Sequence, residues 1–198
     1  MGTPQPVSRM TSDKFLEWEK TQIEKHEYLD GLVYPVHAMV GARDAHVTVA
    51  GNVFALLKSH LRGGPCRVYI SDMKLQIDAA NAHFYPDVFV TCDARDRAEN
   101  TSKRHPSLIV EVLSDSTAGY DRGEKFAVYR TLESLREYVV IDPDRFTVEC
   151  FRRDETGHWV LYSFSGGDTV EFQSVTFQAP PSALFEDVED LRRQSSGA

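Results

Sequence analysis

Two early segments of the chain repeat apolar residues at the spacing of a helix face. The first segment begins at Thr11 or Ser12, either of which can cap a helix, and continues to about Lys25. The second covers residues 45–61, is predicted to face the core, and ends before Gly-Gly-Pro at 63–65. The apolar positions are Phe15, Leu16, Trp18 and Ile23 in the first stripe, and Val47, Ala50, Phe54, Leu57 and Leu61 in the second.

Shorter apolar segments predict strands. Asp30-Gly31 separates two of them, and this dipeptide favours a tight hairpin because both residues tolerate positive φ. Further segments of strand length are 66–70, 73–77, 84–91, 108–113, 138–141, 147–151, 159–164 and 170–177. One helix interrupts them; it is predicted to open at Asp121, with Glu124 three residues later in a capping-box arrangement. The segments after it predict an antiparallel meander.

The length of 198 residues fits one domain. We expect residues 1–10 to form a flexible N-terminal arm, 11–191 a single domain and 192–198 a flexible tail. No apolar run approaches the ~20 residues of a membrane span, and the first ten residues hold no apolar signal core, which disfavours membrane insertion and secretion. The three cysteines are widely separated, so we interpret them as buried thiols of a cytoplasmic protein.

The charge balance is acidic, with a formal net charge of −8. This disfavours a protein whose whole surface is a nucleic-acid platform, but it is compatible with an enzyme whose carboxylates hold a metal ion. The loop at residues 92–105 is weakly positive. It could contact phosphates, although a loop rich in both signs of charge is more often only solvated.

Two acidic residues lie on predicted strands, where carboxylates are disfavoured. Asp87 follows Pro86 at the head of an apolar segment, and Glu111 lies inside another. Burial of a carboxylate costs several kcal/mol unless it is neutralised, so a divalent cation is a natural partner. Oxygen ligands from two adjacent strands suit Mg²⁺. The alternative interpretation is a solvated Asp87 and a Glu111 paired with an arginine.

Several motifs follow one another along the chain from about residue 11 to 191. They are Tyr85-Pro86-Asp87-Val88, Pro106 with Leu108–Ser114, Asp121-Arg122 with Lys125 and Tyr129, Glu137-Tyr138 and Asp142-Pro143, together with Glu27–Gly31, His46 and Ser71-Asp72. In this order they resemble the Uma family of putative restriction endonucleases, which belongs to the PD-(D/E)XK nuclease superfamily.

The resemblance implies an α/β (α+β-like) restriction-endonuclease-like fold, with helices flanking a central mixed β-sheet. It implies an endonuclease that uses Mg²⁺ (or Mn²⁺) to hydrolyse phosphodiester bonds of nucleic acid, with DNA as the expected substrate. The residues that it assigns are Asp87, Glu111 and Lys125 as catalytic residues, Glu27 and the Val112 carbonyl as further metal ligands beside Asp87 and Glu111, and His46 as a substrate contact. Glu27 as a hairpin surface charge and His46 as a half-buried structural histidine are the alternatives.

One position departs from the superfamily pattern. Leu113 stands two residues after Glu111, where the lysine of (D/E)XK is expected. The resemblance implies that this lysine has moved to the following helix as Lys125. The alternatives are a Lys125 that pairs with Glu124 or Asp121 on a solvated helix face, and a catalytically silent module that binds protein or nucleic acid without cutting.

Association of two copies is a further expectation. We expect exposed edge strands and a helix face that carries Phe15 and Trp18, and apolar aromatic surface on a small domain tends to be covered. A homodimer would also suit cleavage of both strands of a duplex, because two-fold symmetry could place identical sites at antiparallel backbones.

Overall fold

The computed structural model describes residues 5–36, 44–114 and 118–188. Within these ranges the chain forms two six-stranded sheets and a separate hairpin. In spatial order, the first sheet contains β1 (Ser8–Arg9), β3 (Leu32–Pro35), β2 (His26–Leu29), β6 (Ala82–Phe84), β5 (Lys74–Ile77) and β8 (Ser102–Lys103). The second contains β12 (Trp159–Phe164), β11 (Thr147–Arg153), β10 (Glu137–Asp142), β9 (Pro106–Val112), β7 (Val88–Thr91) and β4 (Arg67–Ile70). The hairpin pairs β13 (Val170–Phe172) with β14 (Phe177–Ala179).

Both large sheets are mixed. β5 runs parallel to β8 and β9 runs parallel to β10, whereas the other neighbouring strands are antiparallel. The predicted fold class is therefore confirmed, with the strands divided between two sheets rather than collected in one central sheet.

The helices are few and mostly short. They are α1 (Ser12–Glu19), α2 (Asp44–His60), α3 (Ala118–Tyr120), a π-helical turn at Asp121–Lys125, α4 (Phe126–Tyr129) and α5 (Pro181–Leu184), with 3₁₀ turns at Asp78–Ala80, Ala94–Arg97 and Gln173–Val175. None of the helices in the described ranges is long and apolar enough to cross a membrane.

The central strands of the second sheet bury both of their faces. On β9, Val110 packs with residues of α2 and the β13–β14 hairpin, whereas Ile109 packs with residues of the first sheet and α4. Neighbouring residues on a strand point to opposite faces, so a strand covered on both sides is apolar throughout. Glu111 is the charged exception inside β9, and it lies on the same face as Ile109.

Two of the local predictions are confirmed. The β2–β3 hairpin turns at Asp30 and Gly31, whose φ angles are 44° and 91°. The predicted helix at 45–61 corresponds to α2, but its buried residues are Val49, Ala50, Val53 and Leu57. Val47, which was expected in the stripe, is 58% exposed. The stripe is rotated because packing against the sheet, and not periodicity alone, selects the buried face.

The first helix is shorter than predicted. It ends at Glu19, whose side chain accepts the His26 amide proton at 2.8 Å, so the chain turns before it enters β2. Ile23 lies in this turn and is fully exposed. Phe15, in contrast, is completely buried against Tyr28 of the same chain. The expectation that Phe15 belongs to an exposed helix face, which a second copy would cover, is therefore wrong. The first sheet of the same chain already covers Phe15.

Two predicted strands are interrupted. The segment at 84–91 divides around Tyr85-Pro86-Asp87 into β6 and β7, which belong to different sheets. Proline cannot donate a ladder hydrogen bond, and this break lets the chain pass from one sheet to the other. The segment at 170–177 folds back on itself through the turn at Gln173–Val175 to form the β13–β14 hairpin.

The expected N-terminal arm is partly structured. Ser8–Arg9 forms β1, and Val7 and Met10 donate backbone hydrogen bonds to Val33 and Gly31. Residues 1–4 and the expected tail at 192–198 lie outside the described residues, as do the last residues of the expected domain, 189–191.

The cysteine prediction is wrong for two of the three residues. Cys66 and Cys92 form a disulfide, and Cys150 is a buried free thiol. Cys66 precedes β4 and Cys92 follows β7, two antiparallel neighbours in which Arg67 lies opposite Thr91. The pairing follows from strand order, which the spacing of the cysteines does not reveal. The expectation of a cytoplasmic protein, which was based on three free thiols, therefore loses its support.

The weakly positive loop is tied to the rest of the chain. Arg95 pairs with Asp93, Arg97 donates to the Pro65 carbonyl, and Lys103 donates to the carbonyls of Asp96 and Glu99. Arg104 pairs with Asp78 and Glu99. The charged side chains of this loop therefore hold it in place, which favours a structural role over phosphate contact.

Candidate active site

The break between β6 and β7 places Asp87 opposite Glu111. Val88 pairs with Val110 in the antiparallel β7–β9 ladder, so the residue before Val88 lies beside the residue after Val110. The Asp87 amide donates to Glu111 Oε2 at 3.3 Å, and the Val112 amide donates to Asp87 Oδ2 at 2.8 Å. The predicted adjacency of the two acidic strand positions is therefore confirmed. Val112 contacts Asp87 through its amide.

Glu111 is held inside the protein by hydrogen bonds. Its side chain is 4% exposed, and Oε1 accepts the hydroxyl proton of Tyr129 at 2.7 Å. Burial raises the pKa of Glu111, and the nearby charges of Asp87 and Asp121 act in the same direction against the opposing charge of Lys125. An arginine partner, the alternative weighed for Glu111, is replaced by Lys125 and Tyr129.

Lys125 projects from the π-helical turn into a group of carboxylates. Its Nζ lies 2.9 Å from Glu111 Oε1, 3.2 Å from Glu27 Oε1 and 3.8 Å from Asp121 Oδ1. Burial acts to lower the pKa of Lys125, but the charges of Glu111 and Glu27 outweigh it, and the pKa is raised well above its usual value. Lys125 is therefore a buried ammonium ion rather than part of a solvated helix face.

The helical segment around Lys125 differs from the prediction. Asp121 does not cap a helix start, because the helical backbone already begins at Ala118, and Asp121–Lys125 is a π-helical turn. Such turns are often found at functional sites. Arg122, three residues before Lys125, pairs with Glu149 of β11 and does not join the carboxylate group. Tyr129, four residues after Lys125, lies on the same side as Lys125, because both side chains contact Glu111.

Glu27 reaches the same carboxylate group from the first sheet. It lies on β2, is 9% exposed, and its Oε1 also accepts the Tyr85 amide proton at 3.3 Å. The hairpin-surface interpretation of Glu27 is therefore wrong. Lys125 joins Glu27 of the first sheet to Glu111 of the second, so the site lies where the two sheets meet.

His46 approaches Asp87 from the first turn of α2. Its Nε2 lies 3.3 Å from Asp87 Oδ1, and its buried Nδ1 has no hydrogen-bond partner among the described residues. Burial acts to lower the pKa of His46, but the hydrogen bond and charge of Asp87 outweigh it, so the pKa is raised. The structure places this expected substrate contact next to a carboxylate.

Sequence reasoning missed two participants. Asp121 was expected as a helix cap or as a solvated partner of Lys125, but it belongs to the buried carboxylate group around Lys125. The Tyr85 amide, which was not considered, binds Glu27. The motif Tyr85-Pro86-Asp87 contained a signal, because the residues around a strand-breaking proline have backbone amides that no sheet ladder uses.

The charges at the site are unbalanced. Glu27, Asp87, Glu111 and Asp121 face one ammonium group and one imidazole, which leaves an excess of negative charge in a largely buried place. Such an excess is relieved by protonation or by a bound cation. Hard oxygen donors are the ligands that Mg²⁺ accepts, so the donor set fits this ion. In the described ranges, however, no three His, Cys, Asp or Glu side chains are grouped as a ready-made metal site.

The Uma2 family, described as "Putative restriction endonuclease", matches residues 12–180. This chain belongs to that family. An uncharacterized protein of Synechocystis sp. (strain ATCC 27184 / PCC 6803 / Kazusa) is 36% identical over 170 residues, covering 86% of this chain and 88% of the relative. A second uncharacterized protein of this organism is 33% identical over 166 residues, covering 82% and 92%.

A solved structure shares the architecture of this Uma2 chain. It is a crystal structure of a putative nuclease belonging to DUF820 from Anabaena variabilis ATCC 29413, with a TM-score of 0.73 over 90% of this chain and 99% of that one. The sequence identity is 16%, so the similarity concerns the fold. It identifies the two mixed sheets as a restriction-endonuclease-like fold.

Proposed function

We propose that this chain is a metal-dependent endonuclease that hydrolyses phosphodiester bonds of DNA. The observation that carries the proposal is the position of Lys125, whose ammonium group is buried between Glu111 and Glu27 while Asp87 lies across the strand pair. Membership of a family described as putative restriction endonucleases supports the same reaction class. A purely structural role for Lys125 would need only its pairing with Glu111 and Glu27. It would not explain why a second carboxylate, Asp87, lies across the strand pair from Glu111.

The side chains of the site would have two roles, metal binding and compensation of the charge that develops during hydrolysis. Asp87 and Glu111 would hold Mg²⁺ (or Mn²⁺), with Glu27 and the Val112 carbonyl as further ligands. A bound divalent ion supplies a water of lowered pKa and stabilises charge on the phosphate. Lys125 would offset the negative charge that develops during hydrolysis and would orient the attacking water. His46 would contact the substrate beside Asp87, which is consistent with its position at the end of α2 nearest the site.

The direct test is cleavage of supercoiled, linear and single-stranded DNA and of RNA in the presence of Mg²⁺ or Mn²⁺. We expect DNA to be cut, and Lys125→Ala and Glu111→Gln each to reduce the rate by about a hundredfold or more, as loss of a transition-state contact does. Glu124→Gln is the matched control, since Glu124 is an exposed carboxylate in the same helical turn. A Lys125→Ala variant that is folded and cuts at the parental rate would contradict the proposal.

A catalytically silent module is the second candidate. It is favoured by Leu113, which stands where the superfamily has lysine, and by the absence of a ready-made three-ligand group within the described residues. Calorimetry with Mg²⁺ or Mn²⁺ in the absence of DNA separates the two candidates. Metal binding that Glu111→Gln abolishes and Glu124→Gln preserves supports the nuclease. Nucleic-acid binding with neither metal binding nor cleavage supports the silent module.

A homodimer is also part of the proposal, with the exposed edge strand β12 as its interface rather than the helix face that carries Phe15. β12 is the outer strand of the second sheet, and its apolar side chains Val160, Leu161 and Tyr162 are 40–51% exposed. An uncharged, exposed edge strand is a site where a second copy can pair. Light scattering should give about twice the chain mass of 22.4 kDa, and the mass of a single chain at micromolar concentration would contradict it.

A further inference from the structure

Two tyrosines beside the candidate active site have hydroxyl groups that no described residue binds. Tyr34 on β3 and Tyr120 at the end of α3 are half-buried, and neither hydroxyl group is sealed in the interior. Other tyrosine hydroxyl groups of the described ranges are hydrogen-bonded to protein atoms, namely those of Tyr28, Tyr85, Tyr129 and Tyr138. The hydroxyl groups of Tyr34 and Tyr120 are therefore available to a ligand.

The strand register places Tyr34 on the same face of the first sheet as Glu27. The two residues are directly opposite each other in the β2–β3 ladder, and the side chains of such a pair share a face, with Cβ atoms about 4.5–5.5 Å apart. Val33, the preceding residue, packs with Phe15 on the face that α1 covers, so Tyr34 points to the opposite face. This is the face on which Glu27 meets Lys125.

Tyr120 approaches the same carboxylates from the helical segment. It directly precedes Asp121, whose Oδ1 lies 3.8 Å from Lys125 Nζ. Burial raises the pKa of Tyr120, and the charge of Glu27 acts in the same direction, against that of Lys125. Tyr34 has a smaller effect on the same hydroxyl group, so the two tyrosines lie near each other. Together they border the site on the side of Glu27.

The cationic side chains of the site are already paired. Lys125, Arg122 and His46 each lie within ion-pair distance of a carboxylate. A phosphate that enters this acidic site needs hydrogen-bond donors, because the carboxylates repel it. A neutral hydroxyl group can donate without giving up an ionic partner, and tyrosine is among the residues that bind phosphate oxygens of nucleic acids. The unpaired donors of Tyr34 and Tyr120 meet this need.

We propose that the hydroxyl groups of Tyr34 and Tyr120 donate hydrogen bonds to a backbone phosphate of the bound nucleic-acid strand, on the Glu27 side of the site. The inference rests on the proposed function and adds two substrate-positioning residues to it. A tyrosine has only two side-chain torsions, so little conformational entropy is lost when its hydroxyl group binds. Phosphate contacts of this kind fix the register of the strand without reading its sequence.

The test is DNA binding by Tyr34→Phe and Tyr120→Phe, measured by fluorescence anisotropy in EDTA so that no cleavage occurs. Each substitution removes only the hydroxyl group, and we expect the affinity to fall about threefold to tenfold, as loss of one hydrogen bond does. The slope of log affinity against log salt should stay parental, because a neutral donor releases no counterions. With Mg²⁺ present, KM should rise by a similar factor while kcat changes little.

The matched control is Tyr69→Phe, which removes a hydroxyl group that no described residue binds from the outer strand β4 of the second sheet. It should bind DNA with parental affinity. Thermal melting verifies that each variant is folded. Weak binding by Tyr34→Phe and Tyr120→Phe together with an altered salt slope would contradict a neutral donor.

The remaining outcomes separate this inference from the proposed function. If the parental chain binds and cuts DNA and both Phe variants keep its affinity, the phosphate contact is wrong while the nuclease proposal stands. Parental affinity of the Phe variants with weak binding by Tyr34→Leu and Tyr120→Leu would assign the rings to base stacking and would also overturn the phosphate contact. A parental chain that binds DNA without cutting it, and loses affinity in the Phe variants, supports the contact and overturns the nuclease. If it binds no nucleic acid, both proposals fail.

Discussion

The ammonium group of Lys125 lies 2.9 Å from Glu111 Oε1, and the two side chains are 9% and 4% exposed. Glu111 comes from the central strand β9 and Lys125 from the helical segment that covers it. The pair is therefore part of the interior, although the same ammonium group is also in contact with Glu27 and Asp121. The ammonium group of Lys125 therefore neutralises buried carboxylates in the folded protein, and it is also the proposed catalytic cation.

Removal of the Lys125 charge should destabilise the protein. Lys125→Met fills similar space but leaves Glu27, Glu111 and Asp121 facing one another, and an unpaired buried charge costs about 3–5 kcal/mol. Urea unfolding in EDTA measures the loss. Addition of Mn²⁺ or Mg²⁺ should recover part of it, because a cation can replace the ammonium group. Lys58→Met, on the exposed end of α2, should change stability by less than about 0.5 kcal/mol. Equal effects of the two substitutions would show that Lys125 is solvated.

Metal binding should become tighter as pH rises. The pKa of Glu111 is raised by burial, so at neutral pH part of this carboxyl group holds a proton that a metal ion must displace. Raising the pH removes the proton before binding, and the affinity therefore increases. Calorimetry in buffers of different ionisation enthalpy should detect proton release at neutral pH and less release at higher pH. Affinity that is independent of pH across this range, with no proton released, would exclude Glu111 as the titrating ligand.

Glu137 should be a major source of stability away from the site. It is completely buried on β10, and it accepts hydrogen bonds from Arg152 Nε at 2.8 Å and from the amides of Gln173 and Ser174 at 3.0 and 2.8 Å. These bonds attach the turn of the β13–β14 hairpin to the second sheet. Glu137→Gln removes the charge that holds all three donors and should cost about 3 kcal/mol.

The matched control for Glu137 is Glu171, the second carboxylate near Arg152. Its side chain is 35% exposed and lies 3.7 Å from Arg152 Nη2, so Glu171→Gln should cost less than about 1 kcal/mol. The difference in the free energy of unfolding between the two variants follows from their urea midpoints, provided that their m-values are equal. A Glu171→Gln variant as unstable as Glu137→Gln would contradict the anchoring role of Glu137.

Thiol titration should count one free cysteine in the denatured, unreduced protein and three after reduction. The disulfide between Cys66 and Cys92 removes two thiols from the count. Cys150 is buried and burial raises the pKa of its thiol, so it should react only after unfolding. Three reactive thiols in the denatured protein without reductant would show that the strand pair β4–β7 is not cross-linked.

Local patterns in the sequence were sufficient for several elements. The spacing of apolar residues predicted α2, and Asp30-Gly31 predicted the β2–β3 turn, because helix periodicity and positive φ are properties of neighbouring residues. The acidic positions Asp87 and Glu111 were also found in this way, since a carboxylate among buried strand residues stands out without any knowledge of the fold. Their adjacency follows from the ladder between two strands, and the order of motifs already indicated the family.

Only the tertiary structure decided which distant residues meet. Glu27 and Asp121 join Lys125 because the first sheet and the helical segment both pack on the face of β9 that carries Glu111. The family resemblance pointed to Glu27, but apart from it nothing in the local sequence distinguishes the two residues from surface carboxylates. The same holds for Cys66 and Cys92, which are brought together by the β4–β7 ladder, and for Phe15, which Tyr28 covers. Sequence periodicity reports which side of an element is apolar, whereas the partner of that side depends on strand order and on where the chain crosses between sheets.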